Sequence, residues 1–235
     1  MHHIHERVAT TDWATAAAEL DATGMARLPA LLTPDDCAAI KALWDEAPAF
    51  RSKVVMARHN FGEGEYQYFS NPLPPLVLAL RQALYPRLAP IANTWADRLG
   101  LPGYPDTLEA FTTACAFAGQ TKPTPLLLRY EAGGYNCLHQ DLYGQIAFPL
   151  QAVFLLDQPG VDFTGGEFLL VEQRPRAQSA AEVATLQQGD GLVFTTRYRP
   201  MAGSRGYYRV NVRHGVSRVR SGLRHTLGVI FHDAA

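Results

Sequence analysis

A histidine and an aspartate separated by one residue lie in the segment YNCLHQDLYG, residues 135 to 144. If this segment is extended, His139 and Asp141 point the same way, because alternate residues of a strand share a face. Imidazole nitrogens and carboxylate oxygens both bind divalent transition metals. A polar loop between two strands is the simpler interpretation, so the pair indicates a metal site only if the chain supplies a third ligand.

The third ligand is predicted in a later segment, YRVNVRH, residues 208 to 214. Apolar side chains alternate there with arginine and asparagine, and His214 continues the apolar series. A period of two directs the apolar series toward the core, so His214 points inward, where a polar group needs a partner. Two imidazoles and one carboxylate on one side of a metal leave coordination positions open, which suits Fe(II). A histidine satisfied within the core is the alternative.

The last strand-like segment, LRHTLGVIFH at residues 223 to 232, carries a candidate anchor for an anion. Arg224 and Thr226 share one face of this segment. A guanidinium group binds a carboxylate through two parallel hydrogen bonds, and a hydroxyl adds a further donor. His225 points to the other face, and His232 lies roughly 20 Å beyond Thr226 along a strand, so neither is a good metal ligand.

The first part of the chain has helical patterns. The segment TPDDCAAIKALWDEA begins at Thr33 with a capping residue, a proline and early acids. A further helical region spans residues 73 to 100, and Pro86 and Pro90 are expected to interrupt it.

After about residue 110, short runs rich in β-branched and aromatic residues alternate with glycine turns. Many short strands without intervening helices are typical of a sandwich or jelly roll. We therefore predict one domain over residues 1–235, with a helical support region at 1–110 and a β core at 111–235 that carries the site.

These residues resemble the Fe(II)- and 2-oxoglutarate-dependent dioxygenases. The likeness covers roughly residues 125 to 232 and rests on HQD at 139–141, on His214, and on an arginine ten residues later with a hydroxyl two further on. The segments RYEAGGYNCLHQD and TGGEFLLVE are similar to those that lead to and follow the metal loop in this family. The implied fold is mostly β with helices, a double-stranded β-helix (a cupin-like jelly roll) behind an N-terminal helical layer.

The resemblance also implies cofactors and residue roles. Fe(II) would be bound by His139, Asp141 and His214. 2-Oxoglutarate and O₂ would be cosubstrates, and Arg224 with Thr226 would hold the distal carboxylate of 2-oxoglutarate. Tyr130 matches a tyrosine that helps to hold this carboxylate in relatives of the prolyl-hydroxylase kind. The implied reaction couples decarboxylation of 2-oxoglutarate to succinate with hydroxylation or oxidative demethylation of a substrate.

Composition limits the class of protein. Of 235 residues, 47% are hydrophobic and 18% are charged, as in globular proteins. No apolar run is as long as a membrane span, and the N-terminus MHHIHERVATTDW lacks the apolar segment of a signal peptide. Three widely spaced cysteines argue against a disulfide framework. We expect a cytoplasmic protein with reduced thiols and no membrane partner.

The distribution of charge bears on the substrate. The net charge is -1, yet no Asp or Glu occurs from Gly191 to Phe231, and eight arginines lie between Arg197 and Arg224. The segments RHNFGEGEYQYFSNPLP and YPRLAPIANTW resemble a bacterial group proposed to act oxidatively on alkylated DNA. Phosphate binding needs arginines, so nucleic acid is the favoured partner, through residues 197–220. An arginine-rich composition without a binding role is the alternative.

Two other functions stay open, namely a hydroxylase of a protein side chain or small molecule, and a non-catalytic, cupin-like metal-binding protein. Two local alternatives stay open as well. The segment FGEGEYQYF, residues 61 to 69, is interpreted as a hairpin that packs its aromatic side chains on the barrel, in preference to a mobile aromatic cover over the substrate. Cys137 is expected to be a small buried residue.

Overall fold

The computed structural model describes residues 2 to 235, with the backbone alone for His2. Within these residues, the α-helices are α1 (His2–Ala9), α2 (Trp13–Thr23), α3 (Pro34–Ala42), α4 (Pro75–Leu99) and α5 (Leu108–Phe117). Short 3-10 turns span Leu43–Asp45, Ala47–Ala49 and Met56–His59. None of the helices in the described part of the chain is long and apolar enough to cross a membrane.

The strands are β1 (Met25–Leu28), β2 (Phe50–Val55), β3 (Gly62–Glu63), β4 (Glu65–Phe69), β5 (Leu126–Glu131), β6 (Tyr135–His139), β7 (Leu150–Leu155), β8 (Phe163–Gly165), β9 (Phe168–Gln173), β10 (Ala180–Ala184), β11 (Gly191–Thr195), β12 (Tyr198–Gly203), β13 (Gly206–Val216) and β14 (Val219–Val229). They form two sheets. The larger has the order β1-β11-β7-β14-β5-β4-β2, with β8 also paired to β14. The smaller has the order β10-β9-β13-β6-β3, with β12 also paired to β13.

Two apolar clusters hold these layers together. One lies between the sheets and includes Leu192, Phe194 and Val212. The other packs the helices on the outer face of the larger sheet and includes Val193 and Leu227. Leu192, Val193 and Phe194 thus alternate between the two clusters, as the period of two in a strand requires. Strands β7 and β11 of the larger sheet are buried on both faces, and the predicted mostly β architecture with a helical layer is observed.

Helix α4 differs from the sequence prediction, because it runs unbroken through Pro86 and Pro90. Each proline removes one backbone donor, but both lie on the exposed side of the helix, where water can reach the freed carbonyl groups. The opposite side buries Leu84, Tyr85 and Leu88 completely. Tertiary packing of this face outweighs the local preference of proline to end a helix.

The first 110 residues contribute more than a helical support. Strand β1 pairs with β11, β3 with β6, and β4 with β5, so this region supplies strands to both sheets. Helix α5 spans the boundary that the sequence placed at residue 110.

The segment 61–69 is not a hairpin, because β3 and β4 pair in different sheets. Gly64, at φ +151°, turns the chain from one sheet to the other. A Cβ atom there would lie 2.7 Å from Cδ1 of Tyr130, so only glycine permits this close approach.

Candidate metal centre

The three predicted ligands meet where β6 ends beside β13. His139 is the last residue of β6 and is the ladder partner of His214 in β13. Asp141 follows two residues after the strand. Ligand atoms of all three side chains lie within 4.8 Å of one another.

A hydrogen bond orients the imidazole of His139, whereas one ring nitrogen of His214 has no hydrogen bond. Nδ1 of His139 lies 2.8 Å from the carbonyl oxygen of Cys137, so Nδ1 carries the proton and Nε2 is left as the free lone pair. Asp141 lies between the rings, 3.5 Å from Nε2 of His139 and 3.1 Å from Nε2 of His214. Nδ1 of His214 is buried and has no hydrogen-bond partner among the described residues.

The surroundings of Asp141 and of His214 shift their pKa values toward the protonation states that bind metals. Burial acts to raise the pKa of Asp141, but hydrogen bonds and charge from His139 and His214 hold it well below its usual range. Burial, together with the neighbouring charge of His139, lowers the pKa of His214. Asp141 and His214 are therefore in the forms that a metal cation requires. Burial acts to lower the pKa of His139, but the hydrogen bond and charge of Asp141 raise it, so a cation would displace a proton from this imidazole.

Two tyrosines extend the cluster, and the sequence analysis assigned neither a role at the metal. The hydroxyl of Tyr143 donates to Oδ1 of Asp141 at 2.8 Å, and the hydroxyl of Tyr68 donates to that of Tyr143 at 3.1 Å. Burial raises the pKa of Tyr143 well above its usual value, so its hydroxyl keeps its proton and remains a donor. The position of Tyr143 two residues after Asp141 was the available signal.

Arg224 lies inside the fold without a carboxylate partner. Arg224 is only 3% exposed, and its Nε and Nη1 are buried without a hydrogen bond to the described residues. Its Cζ atom is 5.6 Å from the ring centre of Tyr130 and 5.8 Å from that of Phe163. A buried charge without a partner is strongly unfavourable, so this arrangement is suited to an anionic ligand.

Arg224 and the metal cluster line one internal cavity of about 60 Å³. Thr226 and Tyr130, the other two residues predicted to bind the cosubstrate, line the same cavity. The hydroxyl of Tyr130 accepts a hydrogen bond from Nδ2 of Asn136 at 3.3 Å. The structure therefore brings together every residue that the sequence analysis placed in the site.

Two further polar residues of the cavity were missed. Gln151 is 2% exposed, and its Nε2 has no partner. Asn136 lines this cavity and also the outer one described below. Gln151 could have been found from the sequence, because it is a glutamine within the apolar run FPLQAVFLL. Nothing in the sequence distinguishes Asn136 from an ordinary strand residue.

A wider cavity of about 290 Å³ opens onto the metal cluster and is called the outer cavity below. It is lined by His139 and Asp141 and by the aromatic residues Phe61, Tyr66 and Tyr68. Cys137 lines it too and is exposed, contrary to the expectation of a buried residue. The backbone N–H of Cys137 donates to the carbonyl oxygen of Phe61 at 2.8 Å, so its exposure comes from its position on the wall of the open outer cavity.

The arginine-rich stretch does not form one basic surface. Arg199 is 3% exposed, forms an ion pair with Glu172 and donates to the carbonyl oxygen of Asp21 at 2.8 Å. Arg218 donates to the carbonyl oxygen of Gly133. The exposed arginines of the stretch without such a bond to the protein are Arg197, Arg205, Arg209, Arg213 and Arg220.

Neither His225 nor His232 is among the clustered ligand residues, although the ring of His232 lies 5.8 Å from that of Tyr143, which bonds to Asp141. Nδ1 of His225 lies 2.9 Å from Oδ2 of Asp157, on the other face of β14. His232 is fully buried, and its Nδ1 accepts a hydrogen bond from the backbone of Phe148 at 3.3 Å.

Solved structures with a similar fold are 2-oxoglutarate oxygenases. A Pseudomonas putida prolyl-4-hydroxylase aligns with a TM-score of 0.57 and 16% identity, over 95% of this chain and 100% of that one. A 2OG-Fe(II) oxygenase family oxidoreductase from Burkholderia pseudomallei aligns with a TM-score of 0.54 and 19% identity, over 96% of this chain and 94% of that one. At these identities the likeness shows the fold, and it confirms the predicted double-stranded β-helix.

Sequence comparisons give the family. A Mycobacterium tuberculosis protein of uncharacterised function, found in two strains, is 54% identical over 168 residues, which are 71% of this chain and 72% of the relative. Residues 64–234 match the model of a family described as "Oxygenase, catalysing oxidative methylation of damaged DNA". With the fold of the 2-oxoglutarate oxygenases and a His-Asp-His cluster at its centre, the chain belongs to this oxygenase family.

Proposed function

We propose that the chain is an Fe(II)- and 2-oxoglutarate-dependent oxygenase that oxidises alkylated nucleic acid. The observation that carries the proposal is one internal cavity with a His-Asp-His cluster and the buried, unpartnered guanidinium of Arg224. A metal-binding protein without catalysis has no need of the guanidinium, which distinguishes this proposal from a simple cupin-like binding role.

The residues present fit an Fe(II) ion. His139, Asp141 and His214 would hold it, because two imidazoles and a carboxylate that leave positions open are the ligand set of non-haem Fe(II) oxygenases. Bound Fe(II), with 2-oxoglutarate and O₂, supplies the oxidising chemistry that releases succinate and CO₂ while the substrate is oxidised. The hydrogen bonds from His139 to the Cys137 carbonyl and from Tyr143 to Asp141 would keep two of the ligands oriented.

The residues at the Arg224 side of the cavity fit the distal carboxylate of 2-oxoglutarate. Arg224 has two free donors, Nε and Nη1, and Thr226 lines the same space. Tyr130 would contribute its hydroxyl, which already accepts from Asn136 and so has its proton left to donate. A carboxylate at this position would provide the partner that the buried guanidinium lacks.

Support for the substrate comes from the family description, which names damaged DNA. The outer cavity agrees with that substrate, since aromatic side chains beside the metal ligands offer faces on which a planar base stacks. Tyr66 and Tyr68, whose ring centres are 5.4 Å apart, form part of this wall.

The experiment is a succinate-release assay with oligonucleotides, peptides and free metabolites as substrates. We expect alkylated oligonucleotides to stimulate succinate release more than the same oligonucleotides without the alkyl group. Arg224→Ala serves as the control for background release. Stimulation by a peptide or a metabolite, but by no oligonucleotide, would replace the proposed substrate and leave the cofactors in place.

A further inference from the structure

We infer that a single strand of nucleic acid docks in a second groove, beside the metal loop, and that Arg197 and Arg209 hold its phosphates. The inference rests on the proposed function and adds to it the surface that binds the partner. The groove, called the α5 groove here, is lined mainly by Tyr104, Phe111, Leu142, Phe148, Arg197 and Tyr198.

The α5 groove lies beside the segment that carries His139 and Asp141. Leu142 lines the groove, and the next residue, Tyr143, lines the outer cavity and bonds to Asp141. Gln140, between the two metal ligands His139 and Asp141, donates through Nε2 to the carbonyl oxygens of Arg197 at 3.0 Å and Val212 at 2.8 Å. The loop that carries two metal ligands is therefore fixed to the strands that carry the arginines.

The size and lining of the groove suit a nucleobase. Its volume is about 440 Å³, within the range of small-molecule sites. Tyr104 and Tyr198 are half-buried and supply the aromatic wall of the groove, and the fully buried Phe148 packs edge to face behind Tyr104 with ring centres 5.2 Å apart. Thr196 lines the groove, is 1% exposed, and its Oγ1 has no hydrogen-bond partner. A buried hydroxyl without a partner is rare and is suited to the polar edge of a ligand.

The charge beside the groove favours a polyanion. Arg197 is the single charged residue among the described lining residues. Two guanidinium groups lie near the ring of Tyr198, with Cζ of Arg197 at 5.8 Å and Cζ of Arg209 at 4.9 Å from its centre. No acid occurs from Gly191 to Phe231, so the β12–β13 hairpin that carries these arginines has none of its own.

The acids of neighbouring elements leave this charge largely intact. Glu172 is engaged by the buried Arg199, and Asp21 is engaged by Arg98 at 2.8 Å. Asp106 and Glu109 lie near the groove in sequence, at the start of α5, but neither lines it. Local attraction for phosphate therefore coexists with a net charge of -1 for the whole chain.

A single strand fits these features better than a duplex. In a duplex the base faces are stacked and unavailable, whereas an unstacked base can insert between aromatic side chains. Two separate cavities, one at the metal ligands and one at α5, would receive different bases of one flexible strand.

The test is fluorescence anisotropy with a labelled single-stranded DNA at several salt concentrations, with a duplex of the same sequence and a proline-containing peptide as competitors. We expect the double variant Arg197→Ala/Arg209→Ala to weaken binding at least about tenfold and to reduce the log–log salt slope by about 1.4, since each phosphate contact on a single strand contributes about 0.7. The charge-matched control is Arg87→Ala/Arg176→Ala, two exposed arginines that do not line the groove, and it should bind as the wild type does.

A second variant tests the groove without changing charge. Ala114→Trp, on α5, would fill the groove from its wall and should weaken binding of the single strand with an unchanged salt slope. Wild-type affinity in both variants, stronger competition by the duplex or the peptide than by the unlabelled single strand, or no oligonucleotide binding at all would overturn the inference.

Fe(II) and 2-oxoglutarate binding to each variant, measured without O₂, separates the two claims. If both cofactors bind but the affinity for oligonucleotides does not depend on the groove, this inference is wrong and the oxygenase assignment is intact. If the wild-type chain binds neither cofactor, the proposed function itself is wrong.

Discussion

Buried polar atoms without partners concentrate around one cavity. Nδ1 of His214, Nε and Nη1 of Arg224 and Nε2 of Gln151 all belong to residues that line it. Such atoms are uncommon in folded proteins, because each one forfeits its hydrogen bonds to water. The donors of Arg224 and Gln151 are the ones that a polar ligand in this cavity would complete.

Arg224 gives the first prediction. In Arg224→Ala, 2-oxoglutarate should bind at least about 30-fold more weakly, since loss of a buried charge pair costs about 2–5 kcal/mol. Fe(II) affinity should change little, because Arg224 is not among the clustered ligand residues. Arg220→Ala is the matched control, an exposed arginine of the same strand. Isothermal titration without O₂ measures both ligands, and a full loss in the Arg220 variant instead would mean that the anchor is misassigned.

Tyr143 gives the second prediction. Tyr143→Phe removes the hydroxyl that donates to Oδ1 of Asp141, and Fe(II) affinity should fall about 10- to 100-fold, as for other hydrogen bonds to metal ligands. Tyr68→Phe is the control, because its hydroxyl reaches Tyr143 and not the carboxylate. If the two variants lose Fe(II) affinity equally, the direct hydrogen bond to Asp141 has no special role.

At the scale of elements, the turn between β8 and β9 packs against Arg224, the proposed anchor of 2-oxoglutarate. A Cβ atom on Gly166 would lie 2.8 Å from Cδ of Arg224 and 3.2 Å from its Nε. Gly166, at φ +66°, therefore combines an unusual backbone conformation with close contact to the arginine.

Gly166→Ala should weaken 2-oxoglutarate binding by displacing Arg224, with Fe(II) binding retained. Gly160→Ala is a matched control, since Gly160 has φ +80° but no atom within 4 Å of an added Cβ. Both variants should lose stability from backbone strain, measured by thermal unfolding, and Gly166→Ala should lose more because of its contacts with Arg224 and Val219. If both lose 2-oxoglutarate affinity equally, strain and not contact with Arg224 is responsible.

Elements with a clear period were predictable, and elements set by long-range packing were not. The alternation in YRVNVRH placed His214 inward, because the face of a strand residue follows from its parity alone. The continuity of α4 through its prolines depends on how the far side of the helix packs. The change of sheet at Gly64 and the exposure of Cys137 depend on which strands become neighbours, and no local pattern encodes that choice.

At the scale of the whole molecule, one buried carboxylate ties the helical layer to the sheet behind the site. Asp157, after β7, accepts from Nζ of Lys41 in α3 at 2.6 Å. It also accepts from the backbone N–H of His225 in β14 and lies 2.9 Å from Nδ1 of the same residue. Burial acts to raise the pKa of Asp157, but the bonds to His225 and Lys41 outweigh burial, and the pKa is lowered.

Asp157→Asn should lower the free energy of unfolding by about 2 kcal/mol or more at neutral pH, because it leaves buried partners uncompensated. Since the folded pKa of Asp157 lies below the unfolded value of about 3.9, the contribution is complete above that value and is lost as the pH falls through the folded pKa. Urea unfolding should therefore show a difference from wild type that shrinks below about pH 4. The exposed Asp35→Asn serves as control, and a difference that grows on acidification would refute this account.

The most direct test of the metal centre is anaerobic equilibrium dialysis of Fe(II) against the wild type and two histidine variants. The wild type should bind one Fe(II) per chain through His139, Asp141 and His214. His214→Ala should lose more than about 100-fold in affinity, more than loss of a hydrogen bond to a ligand causes. His225 is a buried histidine on the face of β14 opposite to Arg224 and Thr226, so the His225→Ala variant should retain one tightly bound ion. Wild-type affinity in a correctly folded His214→Ala variant would contradict the assignment of this site.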